Sequence, residues 1–220
     1  MTKLITVTGR PGAGKTTVAA ILAEKLAFKH TVCLIDNNRN NINIYSAVSS
    51  VDNINLYACL SDKESCRRAI KESATELKKN MYFFSGGSEQ LTEEQMQILK
   101  ELDIYDYIIL DSGVEISVEL SDKNIIVVNQ NTVEYNAVAF KRVTGTNNLI
   151  VINRYTENSE FKRKQDFKLY FCSEIIDFVN GFELVLPESN ETEIKIIIET
   201  ITGEKSDNKV KIKFKLFGGS

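Results

Sequence analysis

Leu4-Ile5-Thr6-Val7-Thr8-Gly9-Arg10-Pro11-Gly12-Ala13-Gly14-Lys15-Thr16-Thr17 is the stretch on which the fold turns. Its first five residues are a short apolar, β-branched run that ends in glycine, the pattern of a buried central strand. Gly9-x4-Gly14-Lys15-Thr16 then satisfies GxxxxGK(S/T) at every fixed position. From about Thr16 to Phe28 the apolar residues Val18, Ile21, Leu22 and Leu26 recur at helical spacing. A strand before and a helix after is the context a phosphate-binding loop requires. The glycines let successive backbone N–H groups turn inward around phosphate, and the helix N-terminus adds partial positive charge. Gly9, Pro11, Gly12, Ala13, Gly14, Lys15, Thr16 and Thr17 are therefore the expected cofactor-binding segment. In it Lys15 neutralises the β- and γ-phosphates, and the Thr16 hydroxyl ligates Mg²⁺.

Outward from this loop the chain keeps alternating. Thr31 to Ile35 reads as a second strand, stopped by the polar cluster Asp36-Asn37-Asn38-Arg39-Asn40-Asn41. Ser65 to Lys79 reads as a charged helix and Tyr82-Phe83-Phe84 as a strand. Thr92 to Leu102 reads as a helix with a Thr92/Gln95 capping box. Strands follow at Tyr107-Ile108-Ile109-Leu110, Asn124 to Val128 and Leu149 to Ile152, with a helix expected from Val133 to Val143. Ile194, Ile197, Ile198 and Ile201 mark a last amphipathic helix, with Ser189 or Asn190 as its cap and Gly203 as its end. Repeated βαβ units predict an α/β fold: a mostly parallel twisted sheet with helices on both faces. Ligands of such sheets sit beyond the carboxyl ends of the strands. Gly9, Asp36, Asp111 and Asn153 all fall at such ends and should line one edge.

The 220 residues suit one such domain, expected over 1–203, with a linker and tail at 204–220. Apolar residues make up 43% and charged residues 26%, an ordinary globular composition. No run resembles a signal peptide or approaches the roughly 20 apolar residues of a membrane span, so a cytoplasmic location is expected. Cys33, Cys59, Cys66 and Cys172 form no CxxC pair and His30 is the single histidine, which argues against zinc and disulfides. His30 reads as a turn residue. The net charge of -3 argues against a broad basic face for nucleic acid.

A phosphate loop needs a second carboxylate to hold its metal, and Asp111 at the end of Tyr107-Ile108-Ile109-Leu110 fits. Guanine recognition is usually signalled by Asn-Lys-x-Asp at a strand end. The corresponding place reads Asn153-Arg154-Tyr155-Thr156, without an acid, which favours adenine and hence ATP.

In order and spacing these segments resemble the MinD/ParA family of dimerising ATPases across most of the chain. Thr6 to Thr17 is similar to the family's deviant phosphate loop, KGGxGKTT. Leu34-Ile35-Asp36-Asn37-Asn38 with Asn40 and Asn41 is similar to its DxDxxxxN switch segment, and Tyr105 to Ser112 to its YDYIIID strand. Ser121 to Asn131 resembles ADxxIIVTxPE, Val151 to Arg154 the VxNR strand, and Leu186-Pro187-Glu188 the late IPxD segment. The resemblance implies ATP with Mg²⁺ as cofactors, a homodimer formed on ATP binding, and a protein partner it does not identify. It places Asn153, Arg154 and Pro187 near the base and adds Asp36 to Thr16 and Asp111 as a candidate metal residue. Two segments depart from it. The family's signature lysine falls at Arg10, which keeps the charge but is not an equivalent group, and Pro11 replaces a glycine. The second Asp of DxD, which orients the attacking water, falls at Asn38; an amide positions water but cannot take its proton. Asp36 is the candidate substitute. Lys15, Asp36, Asn38 and Arg10 are thus the candidate catalytic residues, with ATP binding expected to survive and hydrolysis expected to be slow or absent.

Lys209-Val210-Lys211-Ile212-Lys213-Phe214-Lys215-Leu216-Phe217 alternates lysine with apolar residues. Its composition is similar to the membrane-targeting tail of MinD proteins, and lysines near an anionic leaflet contribute about 1 kcal/mol each. The same period of two suits an edge strand, and disorder is a third reading. Three functions follow. The leading one is an ATP-dependent switch that positions division, partition or pilus/secretion machinery at the membrane. The others are a non-hydrolysing nucleotide-dependent scaffold and a small-molecule kinase, for which the Arg163 region matches an Arg-rich lid poorly.

Overall fold

The computed structural model describes residues 1–37, 62–85, 91–112, 121–130, 147–156, 166–180 and 183–205. Asn38, Cys59, the Val133 to Val143 segment, Arg163 and the 209–217 tail lie outside them.

β1 (Lys3–Gly9) runs into α1 (Lys15–Leu26), then β2 (Val32–Asn37), α2 (Lys63–Ser73), β3 (Thr75–Lys78) and β4 (Met81–Ser85). α3 (Glu93–Glu101), β5 (Tyr107–Ser112), β6 (Lys123–Asn129), β7 (Asn148–Tyr155) and β8 (Phe167–Tyr170) follow, with α4 (Ser173–Val179) and α5 (Glu188–Thr202) last. The strands make one eight-stranded sheet in the order β3-β4-β2-β5-β1-β6-β7-β8. Every adjacent pair is parallel except β3 with β4. β1 lies inside the sheet between β5 and β6, and Leu4, Ile5, Thr6 and Val7 are all buried, as expected of a strand covered on both faces.

The two-residue period of the strands sorts the core into faces. Ile5 and Val7 of β1, Leu34 of β2, Ile109 of β5, Ile125 and Val127 of β6 and Val151 of β7 pack with α1 and α5. Leu4, Cys33, Ile35, Ile108 and Leu110 point the other way, against Cys66 and Ile70 of α2 and Met96 and Leu99 of α3. Val18, Ala19, Ala20, Ile21, Leu22 and Ala23 are all fully buried, so α1 is enclosed between the sheet and α5 rather than laid on a surface. Lys25 of α1 pairs with Glu191 of α5 across that contact. Each fully buried Leu or Ile contributes about 1.5–3 kcal/mol. His30 lies in the turn between α1 and β2, edge-on to Tyr107 at 5.0 Å.

Four readings of the sequence need correction. The helix expected from Ser65 to Lys79 ends at Ser73; Ala74 is extended and Thr75–Lys78 forms an edge strand hairpinned to β4 through Asn80 (φ 64°). Cys66, Ile70, Ala74 and Leu77 keep helical spacing, which makes one stripe on paper. Leu77, however, packs with the α1 face while Cys66 and Ile70 pack with the opposite one, so a single helix cannot bury both. The polar cluster does not stop β2 at Ile35, since Asp36 and Asn37 complete the strand beside Asp111 and Ser112 of β5. β8 and α4 were not expected. Neither Ser189 nor Asn190 caps α5: Pro187 holds the N-cap position, and Asn190 lies within the helix, fully buried. The Thr92/Gln95 capping box and the end of α5 at Gly203 are as expected.

Asn190 works as a piece of strand. Its Oδ1 accepts the Tyr170 N–H at 2.7 Å and its Nδ2 donates to the Tyr170 carbonyl at 3.1 Å, which ties α5 to the edge of β8. Asn190→Ala leaves both partners without these bonds, and a buried group left unpaired costs about 1–3 kcal/mol. Urea denaturation should show Asn190→Ala destabilised by about 2 kcal/mol; a loss within about 0.5 kcal/mol, the ordinary range for surface substitutions, would contradict this role.

Candidate phosphate-binding site

The register of the sheet brings the candidate residues to one edge. Asp36 sits beside Asp111, Asp111 beside Val7, and Asn129 beside Asn153. By strand alternation Asp36, Asp111, Asn129 and Asn153 continue the rows that pack on α1, so these four belong to the face from which α1 rises. They lie within the last three residues of their strands.

Gly9 closes β1 at φ 149°, and a Cβ there would lie 2.2 Å from the Val127 carbonyl oxygen of β6. No side chain fits where the chain leaves the sheet this close to a neighbouring backbone. The loop then doubles back, and the Arg10 carbonyl accepts both the Ala13 N–H (3.1 Å) and the Lys15 ammonium (3.2 Å). Gly14, at φ 90°, takes the left-handed turn that starts α1. Pro11 and Gly12 are exposed, Arg10, Thr16 and Thr17 half-buried, and Ala13 and Lys15 buried. Burial lowers the pKa of Lys15, and the Asp111 carboxylate partly opposes that shift.

Below the helix start, the Thr16 hydroxyl donates to Asp111 Oδ2 at 2.5 Å. Asp111 is only 1% exposed, and its Oδ1 has no hydrogen-bond partner among the described residues. Burial, with a smaller push from Asp36, raises its pKa to about 7, against the Thr16 hydrogen bond and Lys15 that favour the anion. A buried carboxylate with one oxygen unsatisfied, beside a second acid and a hydroxyl, is a donor set for a hard divalent cation. Mg²⁺ characteristically takes few protein ligands and completes its shell with phosphate and water. The residues present fit that ion. Thr16, Asp111 and Asp36 would hold it, and Lys15 and the loop N–H groups would face the phosphates.

The structure brings Gly9 to Thr16, Asp36, Asp111 and Asn153 together. Asn153 donates from Nδ2 to the Ala13 carbonyl at 2.8 Å, so it touches the loop itself. Arg154 turns away, exposed and at φ 56°, with its N–H on Asn153 Oδ1 (3.0 Å). Pro187 stands at the start of α5, and its place near a base rests on the resemblance. Sequence reasoning missed Asn129, whose Nδ2 donates to the Gly12 carbonyl at 3.2 Å. The signal was there: Ile125-Ile126-Val127-Val128-Asn129 is an apolar strand with a polar end, the same feature that singled out Asp111.

Solved structures share the fold that carries this site. The chain superposes on a plasmid partition protein of Borrelia burgdorferi B31 bound to AMPPNP with TM-score 0.66 and 18% identity, over 91% of this chain and 99% of that one. MinD of Aquifex aeolicus matches with TM-score 0.69 and 19% identity, over 94% and 99%. The fold is that of the MinD/ParA P-loop ATPases. MinD of Pyrococcus horikoshii OT3, complexed with Mg-ADP, matches this MinD/ParA-like chain with TM-score 0.63 and 19% identity, over 92% and 96%. Neither a protein-family model nor a curated protein sequence matches it.

The raised pKa of Asp111 has a consequence for stability. An acid whose folded pKa lies above its unfolded value stabilises the fold while protonated, and that contribution is lost as pH rises toward about 7. In EDTA, wild-type stability should therefore fall relative to Asp111→Asn between about pH 4 and 8, where the amide does not titrate. Parallel stability profiles for the two proteins would contradict a buried, titrating Asp111.

Proposed function

We propose that this chain binds ATP with Mg²⁺ at the Gly9–Thr17 loop and acts as a two-copy nucleotide switch that positions a partner complex. The observation that carries the reading is the Thr16–Asp111 pair, with its unsatisfied carboxylate oxygen, beneath a loop whose lysine is held at the phosphate end of α1. The bound AMPPNP and Mg-ADP in two proteins of the same fold support the same ligand class here.

In this reading the loop N–H groups, the start of α1 and Lys15 bind the phosphates. Thr16, Asp111 and Asp36 hold the ion, which supplies charge neutralisation of the phosphate oxygens. The resemblance assigns the base to Asn153, Arg154 and Pro187; of these, Asn153 already contacts the loop and Arg154 is exposed. Arg10, half-buried ahead of the exposed Pro11-Gly12 tip, takes the place of the family's signature lysine, whose role is to reach a second copy's phosphates. The net charge of -3 speaks against DNA as the surface on which the switch works, since nonspecific DNA binding needs clustered Lys and Arg. Among the described residues no helix is long and apolar enough to cross a membrane. Attachment to an anionic membrane would fall to residues 209–217, whose lysines and apolar residues could act together when two copies present two tails.

Asn38 favours a second, closely related reading, a nucleotide-dependent scaffold that pairs on ATP without turning it over. An amide can hold the attacking water but cannot accept its proton, which leaves Asp36 as the nearest acid in sequence.

Sedimentation with ADP and with AMPPNP, alongside phosphate release, tests both readings. AMPPNP with Mg²⁺ should give a dimer and ADP a monomer, and Lys15→Ala should weaken nucleotide binding by about tenfold or more. A monomer with AMPPNP would overturn the switch and the scaffold together. Asn38→Asp should raise turnover by about tenfold or more if the missing acid limits hydrolysis. Brisk wild-type turnover indifferent to Asn38→Ala would contradict the role given to Asn38.

A further inference from the structure

Asn129 and Asn153 are register partners at the ends of β6 and β7, and each spends its amide N–H on the phosphate loop. Asn129 Nδ2 donates to the Gly12 carbonyl at 3.2 Å and Asn153 Nδ2 to the Ala13 carbonyl at 2.8 Å. The orientation of the Asn153 amide is fixed by its partners, since the Arg154 N–H must meet an oxygen and the Ala13 carbonyl must meet a donor. Consecutive loop carbonyls are therefore gripped from outside by two side chains on adjacent strands.

The grip has a chemical purpose. Each peptide plane carries its N–H opposite its C=O. Holding the Gly12 carbonyl toward Asn129 turns the Ala13 N–H back onto the Arg10 carbonyl and closes the turn, and holding the Ala13 carbonyl toward Asn153 turns the Gly14 N–H to the opposite side. A loop left unheld must order its amides when phosphate arrives, and that ordering weakens binding. Gly14 bears the mark of the same contact. A Cβ there would lie 2.1 Å from Asn153 Nδ2, so glycine at this position makes room for the asparagine as well as for the left-handed turn.

We propose that Asn129 and Asn153 form a strap that holds the phosphate loop in its binding shape before ligand arrives, making both positioning residues for phosphate. For Asn153 this is a different task from reading a base, and for Asn129 it is the task its position at the loop carbonyls allows. The inference rests on the phosphate-binding reading above, yet the strap itself exists in the ligand-free chain and can be observed there.

The test uses the full chain, Asn129→Ala, Asn153→Ala and the double variant, with two readouts. Hydrogen exchange of the ligand-free proteins over residues 10–17 should be faster in each variant, while the β1 and β5 peptides stay protected. Calorimetric titration with tripolyphosphate, which has no base, and with ATP, both with Mg²⁺, should show the same loss for the two ligands. The expected loss is about 5-fold for each single variant and larger for the double one. A loss for ATP with tripolyphosphate binding unchanged would make Asn153 a base reader and overturn the strap. Unchanged loop exchange together with unchanged tripolyphosphate affinity would overturn it also. If wild type binds neither ligand, the proposed function fails, and the exchange measurement alone still decides whether the loop is strapped.

Discussion

Asp111 is a carboxylate taken almost wholly out of water, between Asp36 on β2 and Val7 on β1, and among the described residues one of its two oxygens has no hydrogen-bond partner. Such a group is costly unless something charged or strongly hydrogen-bonding compensates it. The groups that do so here are Thr16 and Lys15, both at the start of α1. α1 begins where it does because β1 must end on Gly9 against the Val127 carbonyl, and the loop must turn at Gly14 under Asn153. The enclosure of α1 between the sheet and α5 then keeps Thr16 and Lys15 in place. The burial of α1 that stabilises the fold therefore also anchors Lys15 and Thr16 over the buried acid.

That arrangement was legible in the sequence where a residue's role depends on its neighbours along the chain. The glycine-lysine-threonine spacing, the short β-branched run of β1 and the strand before Asp111 each carry their own physical signature, and the edge they form follows from parallel topology. Readings failed where the deciding contact is distant. Leu77 keeps the spacing of a helix and belongs to a strand, because the two faces of the sheet are separate cores. Asn190 has the character of a helix cap and instead completes the edge of β8 from inside α5. Asn129 carries no motif; only the pairing of β6 with β7 and the return of the loop show what it touches.

These residues also separate two jobs that the word site runs together. In the proposed function Thr16, Lys15 and Asp111 make charge chemistry for phosphate and a cation. Gly9, Gly14, Asn129 and Asn153 make shape, fixing where backbone N–H groups point. Shape alone would hold an anion weakly, and charge alone would hold a cation without a nucleotide. A switch needs both, because the ion and the phosphate must each be bound less well without the other.

The most direct measurement of that coupling is a calorimetric titration of ATP into wild type and Asp111→Asn, each with Mg²⁺ and with EDTA. The account predicts that Mg²⁺ tightens ATP binding to wild type by about tenfold or more and that this gain is lost in Asp111→Asn, while metal-free binding is similar in both. An equal gain from Mg²⁺ in the two proteins would contradict it.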